Sequence, residues 1–76
     1  MDKNLKIIQD TFATVFGVSP SDITLETSIE NFNDWDSMRH LEIITSIEAA
    51  FGIQFNMGEI IHLNSVEKIL QTIPRT

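Results

Sequence analysis

The chain contains no cysteine. It can form no disulfide framework and no thiolate metal site. Small secreted domains usually depend on disulfides, so a cysteine-free chain of 76 residues points to a reducing cytoplasm. Glycine and proline are scarce, at three and two residues, which disfavours a turn-rich sandwich and favours helices. No apolar run approaches the length that spans a bilayer, and Met1 to Lys6 leads into an amphipathic stretch rather than the apolar core of a signal peptide. Cations are few: five Lys and Arg stand against eleven Asp and Glu. The resulting charge of −6 argues against nucleic acid, whose phosphates would repel it. The three glycines are isolated, so no phosphate-cradling glycine loop is present. There is no internal repeat and no low-complexity segment.

What remains is an ordinary globular composition, 42% hydrophobic and 21% charged, so the chain is expected to fold. Its length allows one domain with one core, residues 1–76. Leu5, Ile8, Phe12, Val15 and Phe16 recur at helical spacing and predict a first helix from about Asn4 to Phe16, stopped by Gly17. Ser19-Pro20-Ser21-Asp22 reads as a short turn. Ile23 and Leu25 are expected to anchor a long connection that runs to Asp36, with Ile29 and Phe32 as further anchors. Within it, Thr27-Ser28-Ile29-Glu30 has capping-box spacing and predicts one helical turn. A second helix runs to about Phe51, before Gly52, and Ile53 and Phe55 anchor the loop after it. Asn56 caps a short helix through Ile60, Ile61 and Leu63. Asn64 is expected to cap the last helix, with Val66, Ile69, Leu70 and Ile73 as its buried stripe and Pro74 as its stop. The fold class predicted is all-α, a small antiparallel four-helix bundle of three longer helices and one short one.

The chain is organised around Asp34-Trp35-Asp36-Ser37-Met38 and the helix it opens. On a wheel of about 100° per residue, Ile43, Ile44, Ile47, Ala50, Phe51 and His40 share a core arc, with Ile47 and Phe51 near its centre. The opposite arc holds Ser37, Met38, Leu41, Glu42, Thr45, Glu48 and Ala49. Two sizeable apolar residues, Met38 and Leu41, therefore lie outside the core arc and are ringed by carboxylates. This suggests a docking surface; the alternative is that they pack beneath the long connection. Charge is concentrated here as well. Glu30, Asp34, Asp36, Glu42, Glu48 and Glu59 face Arg39 alone, six carboxylates against one cation, a local net of −5. Partners with basic docking surfaces are expected.

Either Asp36 or Ser37 caps the second helix, since both residue types accept from free N–H groups. If Asp36 is the cap, Trp35 and His40 stand where a hydrophobic staple would form. Ser37 is then either an ordinary helix-start serine or a modification site, because a helix N-terminus favours an attached phosphate. No catalytic residue is expected. A nucleophilic serine needs a base and an orienting group, and only His40 and His62 are available. His40 projects about 60° away from Ser37 on the wheel. The two histidines lack clustered ligands, so no metal is expected.

These residues resemble the acyl carrier proteins, the phosphopantetheine-binding carrier domains, over nearly the whole chain. Asp36-Ser37-Met38 is similar to the family's Asp-Ser-Leu modification motif, with Met for Leu. Leu41-Glu42 and Ile47-Glu48-Ala49-Ala50-Phe51-Gly52-Ile53 resemble the rest of its second helix and the following turn. Ser65-Val66-Glu67-Lys68-Ile69 resembles the start of its last helix. The resemblance implies that a phosphopantetheinyl transferase uses coenzyme A and magnesium to attach 4′-phosphopantetheine to Ser37, with Asp36 supporting recognition. The arm would carry an acyl group as a thioester to acyl-loading and acyl-transfer enzymes. Met38, Leu41, Glu42, Thr45 and Glu48 match the family's partner-facing positions. Such a carrier is not an enzyme but a covalent substrate of others, expected as a monomer without membrane insertion. Asp34 stands where a glycine is common, and Arg39 and His40 depart from the fatty-acid-synthesis pattern. Trp-Asp-Ser-x-x-His-Leu is more similar to specialised stand-alone bacterial carriers of secondary-metabolite or surface-polysaccharide pathways. The alternatives are an aminoacyl or peptidyl carrier, or an unmodified carrier-fold adaptor.

Overall fold

Helices form where apolar residues recur every three or four positions, and the two longest stop at a glycine. In the computed structural model, which describes residues 3–73, α1 spans Lys3–Phe16, α2 Ser37–Phe51, α3 Met57–His62 and α4 Val66–Thr72. A single 3-10 turn, Pro20–Asp22, follows α1. The all-α four-helix bundle is thus observed, and α4 at 7 residues is only slightly longer than α3 at 6. Among the described residues the strand-like pairing is one isolated antiparallel bridge, Ser28 with Ser65. Gly17 and Gly52 leave α1 and α2 at φ 70° and 66°, the left-handed conformation in which a side chain would be strained. Pro74 lies outside the described residues.

Among the described residues the buried apolar side chains form one cluster. Ile8 and Phe12 of α1 meet Ile43, Ile44 and Ile47 of α2 and Val66 and Ile69 of α4, with Ile23, Trp35, Leu63 and Ile73 from the connecting segments. α1 is the central element, lying against α2, the 3-10 turn and α4. The connection from Gly17 to Asp36 is held at both ends and in the middle. Gln9 Nε2 donates to the Ile23 carbonyl at 2.7 Å. Ile29 N–H donates to Asn64 O, and Val66 N–H donates to Thr27 O. Phe32 packs edge-on against Phe16, with ring centroids 4.9 Å apart.

Several local expectations are corrected. Leu25 is exposed, because it sits at the tip of a turn closed by Thr27 N–H to Thr24 O. Thr27 to Glu30 forms no helix. Thr27 Oγ1 is taken by Thr24 N–H, and Asn31 Oδ1 accepts from Ser28 N–H, so these side chains close two successive turns, Thr24–Thr27 and Ser28–Asn31. Ser65, not Asn64, caps α4: its Oγ accepts from Lys68 N–H at 3.1 Å, while Asn64 O is engaged by Ile29. α3 ends at His62, leaving Leu63 as a buried cap residue and Ile61 exposed. On α2 the buried residues are Ile43, Ile44 and Ile47; Ala50 is exposed and Phe51 half-buried, since the last turn runs past the core before Gly52 reverses the chain.

Candidate functional site

The start of α2 is built by two back-to-back turns that send alternate side chains in opposite directions. Trp35 N–H donates to Phe32 O and Asp36 N–H to Asp34 O. Trp35 consequently enters the core at 2% exposure, edge-on to Phe12 with centroids 5.0 Å apart, while Asp34, Asp36 and Ser37 face solvent. Asp36 is the N-cap. Its Oδ1 accepts from Arg39 N–H at 2.9 Å, and its carbonyl accepts the first helical bond, from His40 N–H. The choice between two possible caps is thereby resolved in favour of Asp36. Ser37, at the first helical position, has no capping duty, and among the described residues its hydroxyl makes no hydrogen bond.

The staple between Trp35 and His40 is present and carries an added polar bond. Trp35 Nε1–H donates to His40 Nδ1 at 3.1 Å, and His40 Nε2 lies 2.7 Å from Ile60 O. Both ring nitrogens are therefore occupied, and His40 is unavailable to take a proton from Ser37. Among the described residues no group of His, Cys, Asp and Glu could hold a metal ion.

Beyond Ser37 the outer face of α2 is as exposed as the wheel predicts. Met38 is 78% and Leu41 59% exposed, so neither packs beneath the connection. Leu41, Glu42, Thr45 and Ser46 line a shallow groove, and Ser46 also borders a second groove formed with Ile7, Thr11 and Val15 of α1. Glu42 pairs with Arg39 at 3.1 Å, with both side chains about half exposed, so the pair contributes little to stability and leaves the face acidic. Glu48 differs from its neighbours. Its Oε2 accepts from Phe55 N–H at 2.7 Å, which turns it toward the loop after α2. Sequence reasoning missed this bond and the depth of Trp35. The first links residues seven apart across a chain reversal, and the second depends on the two turns at residues 32–36, neither of which has a periodic signature.

A covalently attached arm needs an exposed hydroxyl that no structural bond requires, on an element that does not rearrange when it is modified. Ser37 on the capped first turn of α2 fits a phosphodiester in this way, with helix amides and the dipole favouring the anion. A search of curated proteins finds no match to this chain. A family model described as the phosphopantetheine attachment site matches residues 6–73, from α1 to the end of α4. The chain belongs to that family, whose domains covalently attach 4′-phosphopantetheine, and it is a phosphopantetheine carrier.

Proposed function

We propose that Ser37 is the attachment point and that the protein is an acyl carrier. The observation that supports this most is the exposed hydroxyl of Ser37, released from capping by Asp36, within the Asp-Ser-Met stretch of a domain of this family. In the modification a bond forms between Ser37 Oγ and the pantetheine-side phosphorus of coenzyme A. The pyrophosphate bond to the nucleotide half breaks, and the hydroxyl proton passes to the transferase or to water. When attached, the group supplies the thiol on which cargo rides as a thioester. The chain's own residues present that arm. Asp36 holds the first turn of α2, and Met38, Leu41, Glu42 and Thr45 offer an acidic, partly apolar strip to basic partners. Glu48, turned toward Phe55, contributes through the loop rather than the strip.

Acyl cargo is favoured over aminoacyl or peptidyl cargo because Trp35 occupies a position where those carriers often have a glycine. The glycine missing at Asp34 is common to both kinds and does not separate them. The test of attachment is the intact mass of the chain after incubation with coenzyme A, magnesium and a permissive phosphopantetheinyl transferase. The parent gains one phosphopantetheine and Ser37→Ala gains none. A chain that no transferase loads, and whose partners bind Ser37→Ala equally well, is instead a carrier-fold adaptor. Offering the loaded chain a fatty acid or an amino acid with the corresponding adenylating enzymes separates the two cargo classes.

A further inference from the structure

The ring of His40 stands between two groups that tell its two neutral tautomers apart. An indole nitrogen can only donate, so Nδ1, which faces Trp35 Nε1–H, is bare and accepts. A backbone carbonyl can only accept, so Nε2, facing Ile60 O, carries the proton. The neutral Nε2–H tautomer satisfies both bonds and the Nδ1–H tautomer satisfies neither. The indole and imidazole rings also lie against each other, with centroids 5.7 Å apart and planes tilted by 32°.

The element this ring reaches is α3. It has 6 residues, none of them fully buried, with Ile60 half-buried against the core, and it is absent from the helix pairs that pack closely through their backbones. An element with so little burial belongs to the low-stability end of a fold. The Ile60 carbonyl lies in its last turn, where intrahelical donors run out. From the backbone it receives only a long bond, from Leu63 N–H at 3.3 Å. His40 supplies a short one. The same ring grips Trp35, two residues before Ser37, and itself stands three residues after it.

We propose that Trp35, His40 and the Ile60 carbonyl form a latch that ties α3 to the first turn of α2, and that His40 is thereby a positioning residue for modification at Ser37. The second half of this statement rests on Ser37 being the attachment point; the first half does not. Two variants divide the latch. His40→Asn places an amide oxygen near Nδ1 and keeps an acceptor for Trp35, but it is too short to reach Ile60. His40→Gln extends an amide N–H toward Ile60 O and restores that bond.

The experiment joins three readouts on the full chain. Nitrogen-15 NMR of the parent is expected to report the Nε2–H tautomer. Hydrogen exchange is expected to show α3 amides opening about tenfold faster in His40→Asn, the effect of one lost hydrogen bond, with α1 amides unchanged and His40→Gln close to the parent. Transferase loading at Ser37 is expected to fall in kcat/KM in the same order. An Nδ1–H tautomer, or unchanged α3 exchange in His40→Asn, overturns the latch. Faster α3 exchange with loading at the parental rate overturns the positioning role. A parent chain that takes up no phosphopantetheine overturns the assignment of Ser37 and leaves the latch to be judged by the first two readouts.

Discussion

At the scale of single residues, one of two adjacent side chains at the start of α2 takes the cap and the other does not. Asp36 accepts from Arg39 N–H and closes the helix end, and Ser37 is left free. Asp36→Ala is expected to remove the cap and cost about 1 kcal/mol. In a domain of this size that lowers the thermal midpoint by about 4–8 °C, as read by circular dichroism. Asp36→Asn keeps a good cap without the charge, so its stability should stay within about 0.5 kcal/mol of the parent. If the transferase reads the carboxylate, Asp36→Asn loads more slowly at parental stability. Equal loading rates would confine Asp36 to the cap.

At the scale of elements, α2 shows where a helical wheel succeeds and where it overreaches. The wheel treats every turn alike, so it placed Ile47 and Phe51 together at the centre of the buried arc. Burial depends on what lies opposite. Ile47 faces α1 in mid-helix and is fully buried, whereas Phe51 is the last helical residue and keeps one side in water. Ile47→Ala is therefore expected to cost about 2–5 kcal/mol, the range for a buried aliphatic truncation, measured by chemical denaturation. Phe51→Ala should cost less than the about 3–5 kcal/mol typical of a fully enclosed phenylalanine. An equal or larger loss for Phe51→Ala would mean that the last turn of α2 is packed more deeply than its exposure indicates.

At the scale of the molecule, one core and one charge distribution divide the protein. The apolar side chains of α1, α2 and α4 converge with Ile23, Trp35 and Leu63, and the acidic residues are left on the outside. Trp35 is the sole tryptophan and is buried, so its fluorescence should report the same unfolding transition as helix content. On the docking proposed above, partner binding should be salt-sensitive, because exposed charges are screened over about 8–10 Å near physiological ionic strength. Loading measured between low salt and about 0.5 M is expected to slow mainly through KM, and Glu42→Lys to mimic that effect at low salt. A rate independent of both would remove the acidic strip of α2 from transferase recognition.

The sequence by itself determined the helices, their glycine stops, the buried aliphatic stripe and the exposed strip on α2. These are local matters of spacing and backbone preference, and the family resemblance rested on the same stretches. Tertiary structure decided which of two adjacent residues caps α2, which serine rather than asparagine caps α4, and where Leu25, Glu48 and Trp35 point. Some of those outcomes turn on close hydrogen bonds that have no periodic signature, such as Arg39 N–H at Asp36 and the Thr24–Thr27 turn at Leu25. Others need a group brought in from farther along the chain, such as Phe55 N–H at Glu48 and Ile29 N–H at Asn64 O. The Ile60 carbonyl beside His40, twenty residues away, is the clearest case. Periodicity describes which face of an element is apolar, but only the packed chain shows what that face meets.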